Sequence, residues 1–236
     1  MTTLARTLQK NSLPIYAALF VALAALLVFS PAEATLGNVV KIVYAHGAAE
    51  RVSTYAYLLA GALGLVALSL RALFAKQSPI RDLEIASSQT TLLAMTESVA
   101  HWTRAVAETA ILFWLAQFVI SAPAQVLAWG AFTFDEPRVA SAVWILALTG
   151  LVYLVARWID EPGWLAFAAI ANAVIVILVL RGAINILHPV DPIVGSDSIA
   201  IKVFYAAIVL VTGAIALQFA RDRAENLAKA RKPSQG

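Results

Sequence analysis

The chain has 236 residues, of which 61% are hydrophobic and only 13% are charged, and its mean hydropathy is +0.81. Soluble domains carry about 45–50% apolar and about 25% charged residues, so this composition indicates bundled membrane helices and leaves no room for a separate soluble core. The absence of cysteine excludes disulfides, thiolate metal sites and cysteine nucleophiles, and the net charge of +3 says little until the charges are located.

Six apolar segments are long enough to cross a bilayer, for which a helix needs about 17–25 residues. The second of them contains Gly61 and Gly64, small residues at which a neighbouring helix is expected to approach closely. The sequence predicts an all-α polytopic membrane protein, a single domain over residues 1–236. Its six spans and its basic tail are predicted at 13–30, 55–74, 102–121, 139–158, 164–187, 199–220 and 221–236.

The first apolar segment has a second interpretation, as a signal peptide that is cleaved. Residues 32–34, Ala-Glu-Ala, resemble the small-residue cleavage site of such a peptide. The apolar run of 18 residues is longer than the core of a signal peptide, which is about 7–15 residues. The length favours a retained first span, and cleavage is kept as the alternative.

The distribution of Lys and Arg predicts the orientation. Eleven of them fall on one side of the predicted spans, and four fall on the other: Lys41, Arg51, Arg138 and Lys202. Because the cytoplasmic loops of membrane proteins carry the excess of positive charge, both termini are predicted to be cytoplasmic. Three segments are then predicted to face outward together: 31–53, 122–138 and 188–198.

Two of the three histidines lie in these outward segments, each beside the end of a predicted span. His46 precedes the second span and His188 follows the fifth. Neutral imidazole is an axial ligand of haem iron, so the pair is suited to hold an iron from both sides. In the alternative interpretation, each is a polar residue at the membrane interface with no ligand. Zinc is disfavoured, because it requires three or four close ligands.

The outward segment between the third and fourth spans carries aromatic and charged residues in the sequence WGAFTFDEPR, residues 129–138. Trp129, Phe132 and Phe134 offer flat apolar faces, and Pro137 prevents one helix from running through the segment. Aromatic side chains at a membrane boundary form either an interfacial belt or a platform for a flat ligand. Both interpretations are open at this point.

The run from Gly37 to Tyr57, GNVVKIVYAHGAAERVSTYAY, resembles the segment around the first histidine of the cytochrome c assembly family, in its haem exporter protein C branch. There a similar pattern, Gly-Asn-x-x-(Lys/Arg)-Ile-x-Tyr-x-His, opens the second span. The family also has six spans, cytoplasmic termini and an outward tryptophan-rich loop of the form WGxWWxWDxR. The resemblance covers about residues 13–220.

The resemblance implies haem b as the ligand and assigns places to individual residues. His46 takes the position of the first ligand histidine, and His188 is the candidate for the second. Trp129 and Arg138 stand where the loop of the family begins with tryptophan and ends with arginine. Phe132 keeps an aromatic ring where the family has tryptophan. The rings are expected to pack on the macrocycle, and the guanidinium to pair with a propionate.

Besides Phe132, the loop departs from the family form at three positions. Thr133 and Asp135 stand where the family has tryptophan, and Glu136 stands where it has aspartate. The aromatic surface is therefore smaller than in the family.

The resemblance further implies a role in cytochrome c maturation, in which the protein displays and transfers haem without enzymatic bond making. The implied partners are subunits of an ATP-binding-cassette transporter and a membrane haem chaperone, with no nucleic acid. The implied location is the inner, or plasma, membrane, where the chain lies in the lipid bilayer with its haem site on the outer face.

Ionisable residues in the spans suggest a different function. Glu97, His101, Arg104 and Glu108 are spaced 4, 3 and 4, which places them on one face of a helix, and Glu108 is expected to pair with Arg104. Arg181 in the fifth span needs a carboxylate, for which Glu108 is a candidate. Because such residues are costly in lipid, a proton-coupled secondary transporter using Glu108, Arg104 and Arg181 is the alternative, beside a purely structural role. A b-type haem electron-transfer subunit ranks last.

Overall fold

The structure is a computed structural model, and it describes residues 12–76, 83–183, 193 and 195–230. All regular elements in this part of the chain are α-helices: α1 (Ser12–Phe29), α2 (Val40–Lys76), α3 (Leu83–Trp129), α4 (Pro137–Ile159), α5 (Pro162–Gly182) and α6 (Ile199–Ala230). All six are long and apolar enough to cross a membrane. The predicted all-α fold with six spans is confirmed.

The two ends of the helix bundle differ in how the chain turns. We call the end at which residues 130–136 join α3 to α4 the loop end, and the end at which Asp160 and Glu161 join α4 to α5 the turn end. Two contacts show that helices α2 and α3 run antiparallel: Ser53 Oγ of α2 donates to the Ala110 carbonyl of α3 at 2.7 Å, and His46, earlier in α2, contacts the carbonyl of Gln117, later in α3. Helix α2 begins at the loop end, and α3 ends there.

Helix α2 begins at Val40, 15 residues before the predicted start of the second span at residue 55. Tyr57 of α2 meets Thr149 of α4 at 2.9 Å between hydroxyl oxygens, 92 positions apart. Since α2 and α4 both run from the loop end to the turn end, the start of α4 at Pro137 lies level with about residue 45 of α2. The polar residues His46 and Arg51 are therefore part of the helix, and not of an outward loop.

Helix α6 continues to Ala230, well beyond the predicted end of the sixth span at residue 220. The predicted basic tail is thus helical over its first ten residues, and Ala224 there is buried. Its charged residues contact other side chains: Asp222 accepts from Gln218 at 3.0 Å, and Arg223 contacts Glu108 of α3. The predicted end of the span at residue 220 stays a prediction, because a helix can continue beyond the membrane.

Small residues bring α2 and α5 into close contact, as expected for Gly61 and Gly64. A Cβ atom added to Gly61 would lie 2.7 Å from the Ala173 Cβ, and one added to Gly64 would lie 2.6 Å from the Ala166 carbonyl oxygen. Both distances are shorter than van der Waals contact. The glycines therefore set the distance between these two helices.

Candidate ligand cavity at the loop end

A cavity of about 810 Å³ opens at the loop end of the bundle. Residues of α2, α3, α4 and α6 form its walls, together with residues from the segments that join the helices. Sites for small molecules and cofactors have volumes of about 300–1,000 Å³ and combine apolar walls with a few polar groups. The cavity has the size of such a site.

His46 lines the cavity from the second turn of α2. Its Nδ1 atom lies 3.1 Å from the main-chain oxygen of Gln117 on α3. A carbonyl oxygen only accepts, so Nδ1 carries the proton and donates, which leaves the lone pair on Nε2. Metal-binding histidines are held in the same way, with one ring nitrogen donating to a carbonyl and the other free to bind the metal.

Trp129 and Arg138 also line the cavity, one on each side of the loop. Trp129 is the last residue of α3 and is 48% exposed. Gly130 follows with φ 79°, a left-handed conformation that favours glycine and turns the chain away from the helix. Glu136, only 5% exposed, caps α4 by accepting from the Val139 amide at 2.9 Å.

Phe132, by contrast, is not among the residues that line the cavity. Its ring packs edge-on against Phe134, with 5.0 Å between centroids and 85° between the ring planes. Phe134 itself is largely exposed. The aromatic platform expected from this loop is thus divided into Trp129 at the cavity and a pair of phenylalanines beside it.

His188, the predicted second ligand, lies outside the described residues. Its predicted pairing with His46 stays a prediction. Among the described residues, no group of three or more His, Asp or Glu side chains is arranged to hold a metal ion by itself.

Two guanidinium groups line the cavity, those of Arg51 and Arg138. The Arg51 guanidinium lies over the Tyr205 ring, 4.7 Å from its centroid, an arrangement in which the cation is attracted to the ring face. Lys41 is not among the residues that line the cavity, and its Nζ donates to the Val28 carbonyl at 2.6 Å. The positive charge at the cavity therefore comes from arginine.

Glu33, between α1 and α2, is one of the carboxylates at the cavity. The backbone amides of Leu36 and Thr35 both donate to its Oε2 at 2.8 Å. These two hydrogen bonds lower the pKa of Glu33 below its ordinary value. The side chain thus stays ionised in mildly acidic solution and holds the turn before α2.

Sequence reasoning missed a polar face of α3 that faces the cavity. Gln117, Ser121 and Gln125 line it at intervals of four residues, and all three are buried. The side-chain Nε2 of Gln117 has no hydrogen-bond partner among the described residues. The signal in the sequence was the spacing of three polar residues on one face of an apolar helix.

The charged residues of α3 form a second cluster, near the turn end. Glu108 accepts from Arg104 Nε at 2.9 Å and from Arg223 Nη2 at 3.1 Å, and it is also in hydrogen-bond contact with the Tyr153 hydroxyl. The predicted pairing of Glu108 with Arg104 is confirmed. Glu97 and His101 line a separate cavity of about 450 Å³ between α3 and α6.

The predicted pairing of Arg181 with Glu108 is wrong. Helix α5 ends at Gly182, so Arg181 lies in its last turn at the loop end and is exposed. The helix starts at Pro162 at the turn end, where Tyr153 and Glu108 meet. Nineteen helical residues separate Arg181 from Pro162, or about 28 Å along the helix axis.

No model of a protein family matches the chain, and no characterised protein matches it significantly.

Proposed function

We propose that the protein binds haem b in the cavity at the loop end and transfers it to a partner during cytochrome c maturation. One observation carries the proposal: the imidazole of His46, with its proton held on Nδ1 by the Gln117 carbonyl, lines a cavity of cofactor size. The resemblance of residues 37–57 to the haem exporter protein C branch supports the same ligand. The role is one of binding and transfer, not of catalysis.

The residues present fit a haem. The imidazole Nε2 of His46 is the form that binds iron axially. Trp129 offers a ring for the macrocycle, and Arg51 and Arg138 offer guanidinium groups, which suit propionates because they bind carboxylates in two-point geometry. His188 is the proposed second axial ligand.

Transfer requires an open edge, which the loop end supplies. Trp129, at the cavity, is half exposed, and Phe134 in the same loop is 63% exposed. We place this face on the outside of the inner membrane, with both termini cytoplasmic. A membrane haem chaperone would approach the cavity there, and ATP-binding-cassette subunits would contact the helices from within the membrane.

Titration of the purified protein with haemin in detergent tests the proposal. We expect saturable binding with a Soret band characteristic of histidine ligation. The His46→Ala variant should lose that band or bind at least about tenfold more weakly. His101→Ala is the matched control, because His101 lines the other cavity, and it should bind like the wild type. Absence of haemin uptake by the wild type, or equal effects of the two substitutions, would contradict the proposal.

The same titration distinguishes the contributions of Trp129 and Phe132 to haemin binding. Trp129→Ala should weaken haemin binding by about two- to tenfold, since a ring contact contributes about 0.5–1.5 kcal/mol. Phe132→Ala should leave the affinity near that of the wild type, because this ring packs against Phe134 instead. Equal losses in the two variants would show that the loop binds the ligand in another arrangement.

The geometry favours proton-coupled transport less than it favours haem binding. A transporter of the kind considered above uses Glu108, Arg104 and Arg181 together, and Arg181 lies at the other end of α5. The carboxylate of Glu108 is held by two arginines and a tyrosine. Such an arrangement is typical of a fixed ionic contact between helices.

A further inference from the structure

We propose that the side-chain amide of Gln117 donates a hydrogen bond to an oxygen atom of the ligand in the cavity, and thereby selects ligands that carry such an oxygen. For haem, that oxygen belongs to a propionate. The identity of the ligand rests on the proposed function. The observation that the buried amide nitrogen of Gln117 has no partner among the described residues does not rest on that proposal.

Gln117 is buried and its amide nitrogen is unsatisfied. The residue is 2% exposed, it lines the cavity, and its Nε2 has no hydrogen-bond partner among the described residues. Leaving a buried donor without a partner costs free energy, and folded proteins contain few of them. A donor kept in this state at the wall of a ligand-sized cavity is suited to a partner that the ligand brings.

Two other buried polar side chains donate within the protein. Ser121, the next polar residue on the same face of α3, donates from Oγ to the Phe118 carbonyl at 2.7 Å. Asn172, another buried amide, donates from Nδ2 to the Thr149 carbonyl at 3.2 Å and does not line the cavity. Gln117 therefore differs from both in holding a donor that has no acceptor among the described residues.

Gln117 also contacts His46, the candidate iron ligand, through its backbone. The main-chain oxygen of Gln117 is the group that accepts from His46 Nδ1. The same residue thus orients the imidazole through its backbone and presents an amide through its side chain.

The other donors at the cavity favour an oxygen-bearing ligand as well. Arg51 and Arg138 line the cavity with Gln117, and arginine and amide N–H groups together suit carboxylate oxygens. Glu33 and Glu136 line it too, but each uses an Oε2 atom to accept backbone N–H groups. Glu50 is a further carboxylate of the lining, and it makes no hydrogen bond to the Gln117 Nε2.

A binding experiment with two substitutions and three ligands tests the inference. Gln117→Met keeps the length of the side chain and removes the donor, and Gln117→Glu replaces the donor with an acceptor. The ligands are haemin, haemin dimethyl ester and an iron porphyrin with alkyl substituents only. We expect Gln117→Met to weaken haemin about tenfold or more, as for a hydrogen bond to a charged group. Binding of the alkyl porphyrin should change by less than about twofold.

Gln117→Glu should weaken haemin further, since two carboxylates repel each other. The diester identifies the atom that is contacted: a loss as large as that for haemin indicates a carbonyl oxygen, and a small loss indicates the charged carboxylate. Equal weakening of all three ligands by Gln117→Met would overturn the inference, because a residue that only supports the fold does not distinguish them.

Thermal unfolding without ligand provides a second test that does not depend on haem. Removal of an unsatisfied donor should leave the Tm of Gln117→Met unchanged or higher. The matched control is Gln218→Met, the same change at a glutamine whose Nε2 donates to Asp222 at 3.0 Å near the turn end. The control should lower the Tm and leave haemin affinity unchanged. A fall in Tm for Gln117→Met as large as that of the control would overturn the inference, even if the wild type binds no haemin.

Discussion

Glu108 links three helices through its carboxylate. Arg104 belongs to the same helix, α3, whereas Tyr153 belongs to α4 and Arg223 to α6. The side chains of Glu108 and Arg104 are only 16% and 19% exposed, so water screens their charges poorly. A buried ion pair adds modest net stability, but removal of one partner leaves the other charge uncompensated.

We therefore predict a large effect from removing this carboxylate. Glu108→Ala should lower the free energy of unfolding by about 3–5 kcal/mol, because two arginines lose their counter-charge in the bundle. Glu225→Ala is the control, since Glu225 pairs with Arg221 at 3.0 Å, four residues away on the same helix, α6, and the substitution should cost less than about 1 kcal/mol. Denaturant unfolding in mixed micelles measures both. Similar values for the two variants would show that the Glu108 cluster is unimportant for stability.

At the scale of helices, the contact between α2 and α5 sets the position of α2, which forms one wall of the cavity. Gly61 and Gly64 allow α2 to lie directly on the alanines of α5. Helix α2 also carries His46 and Arg51 on the cavity wall. A change in the distance between α2 and α5 would therefore displace His46 and Arg51 at the cavity.

Gly64→Ala should destabilise the protein by about 1–3 kcal/mol, because the new methyl group overlaps a backbone oxygen of α5 that cannot move alone. Gly150→Ala makes the same change on α4 at a glycine with no atom within 4 Å of an added Cβ. This variant should be unchanged or more stable by about 0.4–1 kcal/mol, since alanine restricts the unfolded chain. Thermal unfolding of both in detergent measures the contrast, and a loss at Gly150 equal to that at Gly64 would refute the explanation.

At the scale of the whole molecule, apolar length and composition were enough to predict six helices and their order. Hydropathy did not predict the ends of the helices, because α2 and α6 continue through polar residues. His46 and Arg51 suggested an outward loop, but they lie on a helix whose polar residues face a cavity. Of the predicted site residues, His46, Trp129 and Arg138 line one cavity. Gln117 was missed, because polar residues spaced by four on an apolar helix also occur where helices contact each other.

The orientation predicted from Lys and Arg can be measured directly because the chain has no cysteine. Asp135 in the loop and Glu161 in the turn are both exposed, and each is suited to replacement by cysteine. We expect a membrane-impermeant maleimide to label Asp135→Cys in intact cells, and to label Glu161→Cys only after permeabilisation. The cysteine-free parent is the control for background labelling. The reverse pattern would place the cavity on the cytoplasmic face.

The hydrogen bond between His46 and residue 117 has a consequence for how the site could evolve or be redesigned. Its acceptor is a peptide oxygen, which every amino acid supplies, so substitutions at position 117 do not remove it as long as α3 stays helical. The position of the imidazole proton and the preference for a ligand can therefore change independently, although residue 117 contributes to both. A library of side chains at position 117, screened against porphyrins with different peripheral groups, could change ligand preference while the iron-binding nitrogen is retained.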